Sequence, residues 1–131
     1  MPAPGTGMTG YVLLRVMTQV YYVGLLGGKN DFAEAERTGE NRAINRHNYT
    51  MEEIEANLQR PVVQRLLRLI ALRNQHPAFN GILSILESGD QMLHLAWRNG
   101  AFACALELDL ATFTTTLRET DQHGAVRAWS A

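Results

Sequence analysis

The C-terminal half of the chain alternates between apolar and polar positions. Successive side chains of a β-strand point to opposite faces, so alternation over residues 101–110 predicts a strand with one buried face. The apolar face of this strand holds Phe102, Cys104, Leu106, Leu108 and Leu110. Four more short strands are predicted at residues 82–87, 92–98, 113–118 and 125–129.

The connections between these strands carry turn signals. Asn99-Gly100 predicts a two-residue hairpin turn in which both residues have positive φ. Short connections of this kind join neighbouring antiparallel strands. Residues 80–131 therefore predict a five-stranded antiparallel β-domain.

Helical periodicity precedes this β-domain. Thr50 and Glu53 have the spacing of a capping box, which predicts a helix that ends near residue 58. Pro61 suits the first turn of a second helix, and apolar residues then recur at helical spacing until the chain reaches Pro77. A shorter helix is predicted around residues 31–37.

Residues 19–26 (QVYYVGLL) are apolar almost without interruption. Such a run is typical of a strand that is buried on both faces, as in a parallel sheet. An uncovered strand of this kind is prone to association, so we expect it to join the C-terminal sheet, to pair with a second chain or to turn helical. Of these we favour pairing, which predicts a homo-oligomer through residues 19–26. Residues 1–18 form a disordered or divergent leader in this prediction.

Composition and charge narrow the classes of function. The chain has 131 residues, of which 46% are hydrophobic, and its 12 basic residues nearly balance 13 acidic ones. A near-neutral protein has no strong field for nucleic acid or for an anionic membrane, so we expect neither partner. The apolar run that starts at Tyr11 is interrupted by Arg15 and is too short to span a bilayer, and no basic segment precedes it as in a signal peptide.

The remaining chemistry-bearing residues predict no catalytic or metal site. Cys104 is the only cysteine and alternates with apolar neighbours, which indicates a buried thiol and a reducing, cytoplasmic location. The four histidines lack metal-ligand spacing, so no metal and no cofactor is expected. Trp97 and Trp129 are candidates for a sugar platform, although core packing is favoured for both. Tyr21 and Tyr22 are interpreted as buried strand core.

Three consecutive stretches carry a family resemblance. They are residues 19–31 (QVYYVGLLGGKND), residues 44–79 (INRHNYTMEEIEANLQRPVVQRLLRLIALRNQHPAF) and the meander that follows. Together they resemble the C-terminal portion of sucrose phosphorylases and their relatives in glycoside hydrolase family 13, the α-amylase superfamily. The resemblance implies an α+β chain, in which residues 19–79 supply the last strand, loop and helices of a (β/α)8 barrel and residues 80–131 supply the β-domain.

The resemblance also implies a function. The family transfers a glucosyl group from sucrose to phosphate by a retaining two-step mechanism, and its three catalytic carboxylates lie on earlier barrel strands. We therefore expect no catalytic residue in this chain and no transfer by the chain alone. Arg46 corresponds to the arginine that reaches the glucosyl subsite, and His47 and Tyr49 would position its loop, with sucrose or glucose as ligand. Ala43 and Asn48 depart from the family pattern.

A second class of function stays open at this point. The chain could instead be a non-enzymatic interaction or carbohydrate-binding domain that forms a homo-oligomer. Both classes predict the same fold, and they differ in whether a catalytic barrel takes part.

Overall fold

The computed structural model describes residues 19–130, which divide into two compact units, residues 19–67 and residues 68 onward. The described residues form four α-helices: α1 (Tyr22–Leu25), α2 (Phe32–Thr38), α3 (Met51–Leu58) and α4 (Pro61–Gln75). Two 3₁₀ turns span Asn41–Asn45 and Pro77–Asn80. The predicted leader at residues 1–18 lies outside the described residues, and the predicted boundary near residue 80 stays a prediction.

The second unit contains the five-stranded antiparallel sheet that the alternation predicts. Its strands are β1 (Ile82–Leu86), β2 (Met92–Asn99), β3 (Phe102–Asp109), β4 (Thr114–Thr120) and β5 (Val126–Ser130). Each strand pairs with the next in the chain, so the sheet order is β1-β2-β3-β4-β5. The prediction of a five-stranded meander is therefore confirmed.

One face of this sheet forms the core of the second unit. Trp97 of β2 pairs with Cys104 of β3, and Leu106 of β3 pairs with Leu117 of β4, all of them buried. Phe79 packs on Trp97 with 5.1 Å between ring centroids. Trp97 is thus a core residue and is not available as a sugar platform, whereas the Trp129 side chain lies outside the described residues.

The turn between β2 and β3 differs from the prediction. Asn99 is the last residue of β2 and pairs with Phe102, so the two turn residues are Gly100 and Ala101. Only Gly100 of these has positive φ, at 58°, which is the arrangement of a type II′ turn with glycine in its first position. The side-chain amide of Asn99 donates to the carbonyl of Pro77 at 3.0 Å, which connects the end of β2 to the 3₁₀ turn before β1.

The predicted strand at residues 19–26 is wrong. Residues 22–25 form the single helical turn α1, in which Leu25 N–H donates to Tyr21 C=O and Leu26 N–H to Tyr22 C=O. A barrel strand needs a partner on each edge, and no described strand pairs with this segment. The N–H groups of Leu25 and Leu26 are therefore satisfied within the segment, and the helical turn is the third of the expected outcomes. The barrel remnant is not confirmed.

Both longer helices follow the predicted pattern. The capping box is present, because Thr50 Oγ1 accepts from Glu53 N–H and the Glu53 carboxylate accepts from Thr50 N–H. Helix α4 begins at Pro61 and buries Val63, Leu66 and Leu69. Within residues 19–130, no helix is long and apolar enough to cross a membrane.

Candidate functional site

The long segment between α1 and α3 is organised by Asp31. Its Oδ1 accepts the Glu34 N–H at 3.0 Å and so caps α2, which ends at Gly39 in the left-handed region with φ 69°. The Asp31 N–H donates to the Ile44 carbonyl at 2.7 Å. One residue therefore connects the start of α2 with the 3₁₀ turn that directly precedes the predicted sugar-site residues.

His47 joins two helix caps. Its Nδ1 lies 2.8 Å from Asp31 Oδ2, and its Nε2 lies 3.3 Å from Glu53 Oε1. Asp31 caps α2, while Glu53 completes the capping box of α3. An imidazolium between two carboxylates donates from both ring nitrogens, so a protonated His47 fastens the ends of the two helices together.

The ionisation of these groups follows from that geometry. The hydrogen bond to Asp31 raises the pKa of His47 above its ordinary value, partial burial opposes the rise and the bond to Glu53 adds to it. The same contact lowers the pKa of Asp31, with help from the Glu34 N–H. The pKa of Glu53 is lowered chiefly by its bond from the Thr50 N–H. All three groups therefore favour their charged forms.

Three tyrosine rings continue from His47 toward α1. His47 meets Tyr49 edge to face at 4.6 Å, Tyr49 meets Tyr22 at 6.1 Å, and Tyr22 lies 4.6 Å from Tyr21. Tyr21 and Tyr22 are 49% and 39% exposed. The expectation that they form buried strand core is therefore wrong, because the helical turn places Val23 and Leu26 inward instead.

The three predicted site residues lie around two clefts of the first unit. An open groove of about 640 Å³ is lined by His47 and Tyr49, together with Asp31, Lys29 and Arg60. A smaller cleft of about 340 Å³ is lined by Arg46 with Tyr21, Arg42 and Asn45. His47 and Tyr49 are thus in contact, whereas Arg46 lines a different cleft.

The base of the groove is fixed by Arg60. Its Nη1 donates to the carbonyls of Leu26 and Gly27 and to Asn57 Oδ1, at 2.9 to 3.2 Å. Gly27 has φ 60°, a conformation that a side chain would strain. Gly28 lies so close to Tyr49 that an added Cβ would overlap the tyrosine hydroxyl. These contacts hold Tyr49 against the turn that follows α1.

The site offers hydrogen-bond donors and aromatic surface, which suit recognition of a hydroxylated ligand. A retaining glycosyl transfer also needs a carboxylic acid with a raised pKa beside a carboxylate nucleophile. The carboxyl groups next to His47 both have lowered pKa values and serve as caps. No cluster of metal ligands occurs in the part of the chain that the structure describes.

Several residues of the site were missed from the sequence. The Asp31-to-Glu34 spacing resembles a helix N-cap and could have identified Asp31. The contact of Asp31 with His47, which lies 16 residues later, has no local signal. Arg42 likewise gives no signal until the 3₁₀ turn places it beside Arg46.

The sequence of this chain is similar to those of known phosphorylases. No family model matches the chain. It is 47% identical over 106 residues to a sucrose 6(F)-phosphate phosphorylase of Thermoanaerobacterium thermosaccharolyticum, a match that covers 81% of this chain and 22% of the relative. A glucosylglycerol phosphorylase of Marinobacter adhaerens is 48% identical over 103 residues, covering 79% of this chain and 22% of that relative.

A solved structure shows similarity to the same group of phosphorylases. The crystal structure of sucrose 6F-phosphate phosphorylase from Thermoanaerobacter thermosaccharolyticum superposes with a TM-score of 0.83 at 44% identity, over 86% of this chain and 23% of that one. The chain is a sucrose phosphorylase homologue. It corresponds to the C-terminal part of these enzymes, as the resemblance predicts. This homologue spans about a fifth of the length of the curated relatives it matches.

Proposed function

We propose that this chain supplies a sugar-binding loop and the C-terminal β-domain for glucosyl transfer between a glucoside and phosphate, with sucrose as the parent donor. The observation that carries the proposal is identity of 47% and 48% to two phosphorylases over about four fifths of the chain. The compounds in the names of these two relatives, sucrose 6(F)-phosphate and glucosylglycerol, both contain a glucosyl group. The glucosyl group is therefore the part of the substrate that we assign to this loop.

Arg46, His47 and Tyr49 are the proposed contacts and supports for that group. Arg46 is exposed on the small cleft, so its guanidinium is accessible to a sugar hydroxyl. His47 and Tyr49 hold the segment that carries Arg46, through the link to Asp31 and the edge contact between their rings. Arg46 is thus the binding residue of the three and the others position it.

Binding is tested by titrating the purified chain with glucose and with sucrose while the amide resonances of residues 41–49 are followed by NMR. We expect saturable shifts that Arg46→Ala abolishes. The control is Arg65→Ala, which removes an exposed arginine of α4 that lines neither described cleft. Equal shifts in both variants, or no shifts in the unmodified chain, would contradict the assignment.

We further propose that the 131-residue chain does not catalyse the transfer alone. Asp31 and Glu53 are the carboxyl groups that contact His47 of the proposed loop, and both also serve in helix caps. Their lowered pKa values make them poor proton donors to a leaving group. Incubation with sucrose and phosphate, assayed for glucose 1-phosphate, is expected to give no turnover. Sustained turnover by the purified chain would overturn this proposal.

Catalysis would then require a separate barrel. Mixing this chain with a separately produced polypeptide that carries the first seven barrel strands of a relative is expected to restore phosphate-dependent turnover. The Arg46→Ala variant is the matched control, because it keeps the β-domain and loses the proposed sugar contact. Turnover that is equal with both chains would remove Arg46 from the role proposed here.

The alternative is a non-enzymatic interaction or carbohydrate-binding domain that forms a homo-oligomer through residues 19–26. The adjacent exposed rings of Tyr21 and Tyr22 support it, since paired aromatic side chains are frequent at interfaces. Light scattering after size-exclusion chromatography is expected to show a dimer that Tyr21→Ser with Tyr22→Ser dissociates. A monomer at tens of micromolar would count against this alternative.

A cytoplasmic location is also proposed. Cys104 is the only cysteine of the chain and is buried without a partner sulfur, a usage typical of reducing compartments. Fractionation of the source cells with an antibody against the chain tests it directly.

A further inference from the structure

Strand β1 lies at one edge of the sheet, with β2 as its neighbour. In an antiparallel pair, every second residue exchanges hydrogen bonds with a given neighbouring strand. The Leu110 N–H donates to the Gln91 carbonyl at 2.7 Å, and these two residues continue the register of β2 with β3. The odd-numbered residues of β2 therefore bond to β3, and its even-numbered residues bond to β1.

The register of β1 with β2 then identifies the free backbone groups of the edge. Ile82, Ser84 and Leu86 stand opposite even-numbered residues of β2, so their N–H and C=O groups bond within the sheet. The N–H and C=O groups of Leu83 and Ile85 therefore point away from β2. Within residues 19–130, no strand pairs with this edge of β1.

The side chains of β1 do not protect this edge. The strand reads ILSIL and pairs with β2 without a bulge, and it contains neither a charged residue nor a proline, the features that commonly block an edge strand. Ile82 is 71% exposed and Ile85 is 75% exposed, although they point to opposite faces. By contrast, β5 at the other edge carries Arg127, whose Nε lies 3.7 Å from a carboxylate oxygen of Glu119.

We propose that two copies of this chain associate by antiparallel pairing of their β1 strands, with Ser84 on the two-fold axis. The segment ILSIL has aliphatic residues at equal distances on both sides of Ser84. In this register, Ile82 therefore lies opposite Leu86 of the second copy, and Leu83 lies opposite Ile85 of the second copy. Aliphatic side chains meet on both faces of the joined sheet.

The same register satisfies the free backbone groups. Leu83 and Ile85 are the residues whose N–H and C=O groups point outward, and each stands opposite the other across the two-fold axis. Leu83 of one copy thus donates to and accepts from Ile85 of the second copy, as a hydrogen-bonded pair of an antiparallel ladder does. The contact is isologous, because both copies use the same surface.

The size of the contact sets its strength. Five residues of an antiparallel strand extend over about 17 Å. A single strand pair of that length buries far less than the roughly 1,600 Å² of a standard stable interface. The dimer is therefore weak and concentration-dependent, with a dissociation constant on the order of 0.1 to 1 mM.

This inference goes beyond the proposed function and does not rest on it. Strand β1 belongs to the second unit, whereas the alternative homo-oligomer uses residues 19–26 of the first unit. The double variant Tyr21→Ser with Tyr22→Ser should therefore leave association through β1 unchanged. Association that this variant abolishes would overturn the pairing of β1.

Sedimentation equilibrium of the full chain, from about 10 μM to about 1 mM, measures the association. Ile85→Lys should weaken it about tenfold or more, because a charge would have to be buried between the two strands. Val126→Lys is the matched control, since it places the same charge at a 64% exposed position of the other edge strand. A monomer up to about 1 mM, or equal weakening in both lysine variants, would contradict the proposal.

A cross-link tests the register. The two Ser84 residues would form a non-hydrogen-bonded pair with Cα atoms about 4.5 Å apart, which is within the range that a disulfide spans. Mild oxidation with diamide should therefore link Ser84→Cys chains into covalent dimers. Ser88→Cys is the control, because its thiol lies in the exposed turn after β1, and Cys104 is 1% exposed.

This cross-link also decides the case in which Ile85→Lys loses its circular dichroism spectrum. Ser84 is exposed, so its replacement by cysteine leaves the core of the sheet intact. Faster dimer formation by Ser84→Cys than by Ser88→Cys supports the pairing of β1 about Ser84. Equal rates in the two cysteine variants refute it.

Discussion

His47 Nδ1 and Asp31 Oδ2 lie 2.8 Å apart, although 16 residues separate them in the chain. Asp31 already caps α2 through its other oxygen, and the second nitrogen of His47 reaches Glu53 at the start of α3. The ion pair is therefore a junction between two helix N-termini. Its strength depends on the charge of both partners, which makes it sensitive to pH.

The first prediction concerns this pH dependence. Because the folded pKa of His47 is raised, its contribution to stability is fully present below its unfolded pKa, near 6.5, and is lost as the pH rises through the raised folded value. Asp31 and Glu53 have lowered pKa values, so their contribution is lost as the pH falls through those values. The first unit should therefore be most stable in mildly acidic solution. Amide hydrogen exchange of residues 31–53, measured from pH 4 to pH 8 and corrected for intrinsic rates, checks this.

The Asp31→Asn variant identifies the cause. It removes the main interaction that raises the pKa of His47, so the titration of the His47 ring followed by NMR should move to lower pH. Glu34 and Glu53 remain as acidic neighbours, and Tyr49 contacts the ring. Glu36→Gln is the control, because it removes one negative charge from an exposed position of α2. A similar shift in both variants would mean that general charge, and not the Asp31 contact, sets the pKa.

The second prediction concerns the capping box of α3. Thr50→Ala removes the hydroxyl that accepts from the Glu53 N–H and should reduce the stability of the helix start by about 1 kcal/mol. Glu53 would then be less well fixed and its contact with His47 would weaken. Hydrogen exchange at the Glu53 amide measures the change. Thr50→Ser keeps the hydroxyl and should exchange like the unmodified chain, and fast exchange in the serine variant would contradict the cap assignment.

The sequence predicts the β-domain well because its information is local. The alternation of apolar and polar residues identifies the buried face of β3. Short turns connect each strand to the next, so the pairing of β3 with β2 and with β4 follows from the positions of the turns. The predicted turn Asn99-Gly100 lies one residue too early, because Asn99 still pairs with Phe102, and its side-chain amide bonds to Pro77 and not within the turn. The residue types of a turn give no information about a contact with a residue 22 positions away in the sequence, such as that between Asn99 and Pro77.

The first unit is less predictable for the same reason. The apolar run at residues 19–26 satisfies the requirements of a buried strand, but composition does not say whether paired neighbours exist, and the segment forms α1 instead. For the site, the family resemblance indicates Arg46, His47 and Tyr49. Asp31 and Arg42 are recognised as site residues only from the folded structure, in which they line the two clefts. Contacts across the segment, not periodicity, assemble this site.

The third prediction concerns Cys104. The residue is 1% exposed in β3, and burial raises the pKa of its thiol to about 12. Because the thiolate is the reactive form, a thiol reagent at pH 8 should modify Cys104 only as fast as the second unit opens. A Ser88→Cys variant places a thiol in an exposed turn as a control, and it should react at the rate of a denatured chain. Rapid modification of Cys104 in the folded protein would show that the core of the sheet is open.

The last prediction compares two glycines that flank β1. A Cβ on Gly81 would overlap the Arg98 carbonyl oxygen and lie 2.5 Å from its carbonyl carbon, whereas a Cβ on Gly89 meets nothing within 4 Å. The φ of Gly81 is −97°, so the obstacle is space and not backbone conformation. The atoms in the way belong to the backbone of β2, which cannot move without breaking its pairing with β1 and β3.

Gly81→Ala should therefore reduce the free energy of unfolding of the second unit by about 1–3 kcal/mol or more, the range typical of overpacking. Gly89→Ala should leave it almost unchanged. Urea unfolding followed by tryptophan fluorescence, which reports on the buried Trp97, compares the two midpoints. If both variants unfold at the same urea concentration, the 3₁₀ turn before β1 does not pack against β2 as closely as described here. A lower midpoint for Gly81→Ala alone establishes that this close backbone approach, and not flexibility, is the reason for a glycine at the start of the sheet.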